Sequence, residues 1–239
     1  STGLNIDPIV VVQKAVPGLY SDISSVEIDT YLAETAAALT VEHPDYSYLA
    51  ARIKVNSLHK ETPGFIIATK NLYDDGLLRE EYFKKVMENA DAIESIIDYD
   101  KDYTFDYFAL TTLIRAYLLK FDNRTIERPQ DLWMRVTLTV TGNEFNLDKI
   151  KETYKSLSSG MYTHATPTLF NSGLKMQQLS SCFLIGMEDD SIEGIFNTIK
   201  DCALISKTAG GIGMHAHNIR GSGSRIKSTN GKSNGLIPF

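Results

Sequence analysis

At 239 residues, 43% hydrophobic and 10% aromatic, the chain is long enough to bury a core and to hold one large or two modest domains. Its net charge of −6 argues against a nucleic-acid binder, since such domains carry a basic surplus. Two cysteines, Cys182 and Cys202, are too few and too widely spaced for a disulfide scaffold or a structural zinc site, so any redox role rests on one thiol.

The first residues, Ser1 to Asn5, lack the basic and apolar regions of a secretory leader. Ile9 to Val12, the longest β-branched run, suits a strand or a helix turn and falls far short of the ~20 residues that span a bilayer. A cytoplasmic address and no membrane partner are expected. Ser24 and Glu27 have capping-box spacing, and Ile28, Leu32, Thr35 and Leu39 continue one helical face until His43-Pro44. A second helix starts at Pro44-Asp45, carries Tyr46, Leu49, Ile53 and Ser57, and stops near Thr62-Pro63-Gly64. The two are expected to form an antiparallel pair. Further helices are predicted at 79–97, 111–119, 129–138 and 147–157.

Near Leu179 the pattern changes. Residues 180–187 form a short apolar run suited to a buried strand, Asp189-Asp190-Ser191 offers N-caps to a helix over 192–207, and a second apolar stretch follows over 212–219. Strand, helix and strand begin an α/β unit. The Gly210-Gly211-Ile212-Gly213 cluster follows a helix and precedes a strand, which is the reverse of the order in dinucleotide and phosphate-loop motifs. It is therefore read as a helix cap, and a nicotinamide oxidoreductase is disfavoured.

From Lys207 onward the chain has five basic residues, no acidic one, and seven of its 16 glycines. The stretch 220–232 can present backbone N–H groups, hydroxyls and cations to a triphosphate, or it can be a solvated loop. Cys182, on the first strand, is by position either a small hydrophobe or a reactive thiol, whereas Cys202 on the helix reads as structural. His215 and His217 could share a strand face; no His spacing gives a zinc-protease motif, and no metal is expected to be held by the chain.

Several stretches together resemble the large subunit of class I ribonucleoside-diphosphate reductases, in particular the eukaryotic branch. They are 163–171 (THATPTLFN), 178–184 (QLSSCFL), 189–195 (DDSIEGI), 207–213 (KTAGGIG) and 229–235 (TNGKSNG), with Tyr107-Phe108, 117–120 (YLLK) and 127–130 (ERPQ). The resemblance implies a partial ATP cone over 1–62, a helical domain over 63–177, and the first β-α-β elements of a ten-stranded α/β barrel with a specificity loop over 178–239. It implies reduction of ribonucleoside diphosphates by thiyl-radical chemistry for DNA synthesis.

By the same resemblance Cys182 matches a redox thiol, and Thr166 and Ser181 match positions that touch the substrate. Asp190, Ser191, Ile192, Lys207, Arg220, Lys227 and Ser228 match the allosteric specificity site, and Ser25, Asp29 and Lys60 match the activity site. Asp190 and Arg220 are expected to hold opposite ends of one effector. The implied ligands are ATP or dATP and deoxynucleoside triphosphates, with Mg2+. The implied partners are a second large subunit, a small subunit whose di-iron centre supplies the radical, and thioredoxin or glutaredoxin as reductant. The family's leading basic hairpin is not seen ahead of Ile9, so ATP is expected to bind poorly. The remaining catalytic groups of the family are not found before Phe239, so the 239 residues alone are expected not to turn over. A regulatory nucleotide-binding module without catalytic duty is the alternative reading.

Overall fold

The computed structural model describes residues 3–238. Ser1, Thr2 and Phe239, where the leader and the end of the chain are read, lie outside them. Two compact units emerge: one runs to Thr163 and takes in Ser172–Gln177, and the other combines His164–Asn171 with the residues from Gln178 onward.

The first unit is helical. A short helix α1 (Ile9–Ala15) accounts for the β-branched run, and α2 (Ser25–Ala38) begins at the expected capping box, where the Ser24 hydroxyl accepts from the Glu27 N–H at 3.3 Å and Glu27 accepts from the Ser24 N–H at 3.0 Å. α3 (Asp45–Glu61) starts after Pro44 and ends before Thr62. It runs antiparallel to α2, so that Ala36 and Leu39 near the end of one pack on Tyr46 and Ala50 near the start of the other, together with Val11 of α1.

Four elements differ from the sequence reading. Past Pro63-Gly64 an additional helix, α4 (Phe65–Asp74), buries Phe65, Ala68, Thr69 and Leu72 at one-face spacing. The helix predicted over 79–97 is two, α5 (Glu80–Glu88) and α6 (Ala90–Glu94), because Asn89 leaves the helical region at φ −127 and turns its side-chain amide onto the Lys85 carbonyl. The helix predicted over 111–119 starts earlier, at α7 (Tyr107–Thr112), where Asp106 caps the Ala109 N–H at 2.7 Å. It then widens into a π-helical turn, Leu113–Tyr117. Leu118 leads into a hairpin, β1 (Lys120–Phe121) and β2 (Arg124–Thr125), joined by Asp122 and Asn123, both left-handed.

α8 (Pro129–Val140) is the centre of the unit, and every residue from Pro129 to Leu138 is buried. α9 (Leu147–Ser158), capped by Asn146, packs on it. Such burial forces the polar residues of α8 to find partners. Arg135 donates from Nε to Glu127 Oε1 at 2.5 Å, from Nη2 to Oε2 at 3.1 Å, and from Nη1 to the Ser172 carbonyl at 2.8 Å. Asp131 accepts from the Tyr99 hydroxyl at 2.7 Å and the Arg128 N–H at 2.8 Å, and burial pushes its carboxyl up to about 7. Tyr154 donates to Gln130 Oε1 at 2.7 Å. His59 meets Asp102 at 2.7 Å; burial raises the Asp102 carboxyl and the imidazole works against that shift.

In the second unit, α10 (Thr166–Asn171) precedes two parallel strands, β3 (Cys182–Gly186) and β4 (Gly211–His215), connected by α11 (Ile192–Ser206). The register sets Cys182 opposite Gly211 and Gly186 opposite His215. α11 packs on the strands, and Phe183 and Ile185 are partly shielded while Cys182 and Leu184 are exposed. The strand is thus not the buried one expected: only alternate residues turn to the helix, and the other face has no cover among the described residues. The helix end also differs in detail. Ala209, at φ 62, is the left-handed residue, and Gly210 is needed for close packing instead, since a Cβ there would lie 2.6 Å from Ile205 Cγ2. The basic stretch contains a short antiparallel hairpin, β5 (Arg225–Ile226) with β6 (Gly231–Lys232).

Candidate functional site

The N-terminal end of α11 and the loop that follows β4 enclose a cavity of about 460 Å³. Asp190, Ser191, Ile192 and Ile195 form one wall, Ile219 and Arg220 a second, and Ile226, Ser228 and Thr229 of the hairpin a third. The wall therefore mixes isoleucines, which suit an apolar ring or sugar face, with hydroxyls, one carboxylate and one guanidinium.

Local chemistry explains how each group is held. Ser191 caps α11, its hydroxyl accepting from the Gly194 N–H at 3.0 Å while donating to Asp189. Arg220 turns back on Asp190: Nε donates to the carboxylate, the main-chain N–H donates to the same oxygen at 3.3 Å, and Nη2 donates to the Asp190 carbonyl at 2.9 Å. Asp190 and Arg220, expected to hold opposite ends of one effector, are here paired directly with each other, attraction across a half-buried gap bringing them together.

Ser228 lines the cavity, and Lys227, its neighbour, sits on the exposed hairpin without forming part of the wall. Lys207 does not join the site. It follows the last residue of the 15-residue α11, about 22 Å from the N-terminal end at 1.5 Å per residue.

The thiol lies elsewhere on the same unit. Cys182 is exposed, and a Cβ on Gly211 would come within 3.6 Å of its sulfur, so the strand opposite leaves the thiol open on that side. Ser181 precedes it and is exposed. Thr166, partly buried, begins α10, which is tied towards the strand by Thr168 Oγ1 donating to the Leu179 carbonyl at 3.0 Å and Asn171 Nδ2 donating to the Gln178 carbonyl at 2.8 Å. The rings of His215 and His217 do meet, with Nδ1 atoms 2.8 Å apart, but no group of three or more metal-ligating side chains occurs among the described residues.

On the first unit, Lys60 Nζ donates to Asp29 Oδ2 at 3.0 Å, joining the last turn of α3 to the first turns of α2. Ser25 is one turn before Asp29 on α2. The three activity-site candidates are thus brought to one end of the helix pair.

Residues 103–177 match the all-alpha domain of ribonucleotide reductase and residues 180–239 match its barrel domain. The chain belongs to the ribonucleotide reductase large-subunit family. It is 46% identical over 245 residues to the ribonucleoside-diphosphate reductase large chain of Schizosaccharomyces pombe, an alignment covering 98% of this chain and 30% of that protein. It is 47% identical over 244 residues to large chain 2 of Saccharomyces cerevisiae, covering 98% and 28%, and 47% identical over 252 residues to the large subunit of Caenorhabditis elegans, covering 100% and 32%. The chain spans about 30% of the length of the ribonucleotide reductases it matches. Among the described residues no helix is long and apolar enough to cross a membrane.

Proposed function

We propose that the chain is part of the catalytic and allosteric subunit of a ribonucleoside-diphosphate reductase, in which it contributes one redox thiol and the effector pocket. The observation that carries the reading is the open Cys182 thiol on the first strand of a β-α-β unit that matches the family's barrel domain. Two thiols supply two electrons and two protons; the ribose 2′ hydroxyl leaves as water, hydrogen takes its place, and the thiols become a disulfide. Cys182 is one of the two. Thr166 and Ser181 offer hydroxyls to the substrate from α10 and from the residue beside the thiol.

The ten-stranded barrel, the partial ATP cone over 1–62 and the helical domain over 63–177 are part of this reading. So is the radical, which is supplied by the di-iron centre of a small subunit, with thioredoxin or glutaredoxin reducing the disulfide. The cavity beside Arg220 takes a deoxynucleoside triphosphate, its sugar against Asp190, Ser191 and Ile192 and its phosphates towards Arg220 and Ser228; Mg2+ accompanies the phosphates as a counter-charge. Lys227 adds positive potential at the rim. Ser25, Asp29 and Lys60 form the ATP or dATP site. A second large subunit is supported by α11, where Ile192, Phe196 and Ile199 form an exposed apolar stripe at 66%, 59% and 46% exposure, continuous with the effector cavity through Ile192.

The decisive experiment is turnover by the complete subunit with Cys182→Ser. Dithiol-driven reduction should be lost while effector binding persists. Normal steady-state turnover would exclude Cys182 as the redox thiol.

A further inference from the structure

A separate cavity of about 480 Å³ opens on the helical unit between α3, the π-helical turn and β2. Lys54, Ser57 and Glu61 reach it from α3 at spacings of three and four residues, so they occupy one helical face. Lys60, next in sequence to Glu61, points away to Asp29 on α2. The cavity is therefore not the activity-site candidate. Arg124 enters from the hairpin.

Charge is unbalanced here. Among the described residues neither Lys54 nor Arg124 has a carboxylate within ion-pair distance. The one acid on the wall, Glu61, accepts from the Ser57 hydroxyl at 2.8 Å, and Ser57 is 2% exposed. Two unpaired cations facing one cavity, from two different elements, are notable in a chain of net charge −6.

The wall is also stiffly built. Asp122 at φ 48 and Asn123 at φ 61 make a two-residue hairpin turn that fixes Arg124 opposite Phe121. The π-helical turn closes with the Leu118 N–H on the Leu113 carbonyl at 2.9 Å and presents Ile114 to the cavity, where it forms an apolar floor with Leu58. Such turns are rare and recur at functional sites.

We propose that this cavity binds a small phosphate monoester. The ammonium of Lys54 and the guanidinium of Arg124 hold the phosphate dianion by charge-assisted hydrogen bonds, and the ester's carbon skeleton covers Leu58 and Ile114. Inorganic phosphate satisfies the cations but leaves the apolar floor wet, so the ester binds more tightly. The inference goes beyond the reductase reading and uses none of Cys182, Asp190, Arg220, Asp29 or Lys60.

The test is calorimetric titration of the complete subunit with ribose 5-phosphate and, separately, inorganic phosphate, each with saturating ATP and thymidine triphosphate so that nucleotide sites are filled. Ribose 5-phosphate should bind in the millimolar range or better and more tightly than inorganic phosphate. Lys54→Ala and Arg124→Ala should each weaken it about tenfold, as expected for loss of one charge-assisted hydrogen bond. Lys54→Arg should restore binding, and the distant Lys84→Ala should leave it unchanged. Absence of binding by the wild type, or binding indifferent to both alanine variants, would overturn the site. Equal affinity for the two probes would overturn the ester assignment in favour of a plain anion.

Discussion

Arg220 reaches across 30 residues of sequence to engage Asp190 at both its carboxylate and its main-chain carbonyl. Two of these contacts, from Nε and Nη2, fix the guanidinium, and Nη1 stays available to an anion. Arg220→Ala in the complete subunit should weaken thymidine triphosphate roughly tenfold to a hundredfold. Asp190→Asn should also weaken it, and the double variant should be no worse than the arginine variant, because the two act as one unit. The measurement is effector binding together with reduction of all four diphosphates. An Arg220→Ala subunit that still changes its base preference normally would exclude this loop as the phosphate site.

Phe196, at the middle of the exposed stripe of α11, is the position at which to test self-association. Burying one such side chain is worth about 1.5–3 kcal/mol, so Phe196→Glu should weaken a dimer of complete subunits by at least about tenfold. Sedimentation across a concentration series reads this directly; an unaltered dimer constant would place the partner on another face.

Glu127 and Arg135 are almost wholly shielded, at 3% and 2% side-chain exposure. Removing one partner leaves a buried charge, and Glu127→Ala should cost about 3–5 kcal/mol in urea unfolding. Replacing both by Met should recover much of that loss. A single variant as stable as the parent would show that water reaches the pair.

Asp131 supplies a pH test. Its folded carboxyl, raised by burial to about 7, holds its proton where the unfolded chain has lost it. Stability should therefore be greatest at acid pH as far as this group is concerned, fall as pH climbs from about 4 to about 7, and level off above. Asp131→Asn should flatten that slope. Denaturation midpoints of parent and variant that run parallel across this range would remove Asp131 as its source.

Much of the first unit was legible because its signals are local. Ser24 with Glu27, and Pro44 with Thr62-Pro63-Gly64, mark helix ends by chemistry contained in a few residues. α4 is hidden in the sequence because it begins directly at the Pro63-Gly64 break and its buried residues, Phe65, Ala68, Thr69 and Leu72, span barely two turns. The β1–β2 hairpin is hidden because two-residue strands show no alternation. In the second unit the strand-helix-strand order was readable from the apolar runs, and the cavity wall at Asp190, Ser191, Ile192, Arg220 and Ser228 coincides with residues drawn from the resemblance. What sequence could not supply was contact between distant residues. Nothing near Asp190 announces Arg220, nothing near Arg135 announces Ser172, and nothing in the sequence shows that α11 sets Lys207 a helix length from Ser191.

The short segment Ser172–Gln177 has a consequence for how the protein is made. It belongs to the helical unit, where Ser172 receives Arg135, Gly173 accepts from the Arg79 N–H at 3.0 Å, and Lys175 donates to Leu77 at 3.0 Å, yet residues 164–171 before it belong to the other unit. The polypeptide therefore passes between the units three times. On the ribosome the helical unit cannot close when Thr163 emerges; it must wait for Gln177, by which time α10 has already been delivered to a second unit whose strands are not yet made. A protease cut after Thr163 would likewise fail to part the two halves, since the outgoing piece keeps Ser172 on Arg135, Gly173 on Arg79 and Lys175 on Leu77.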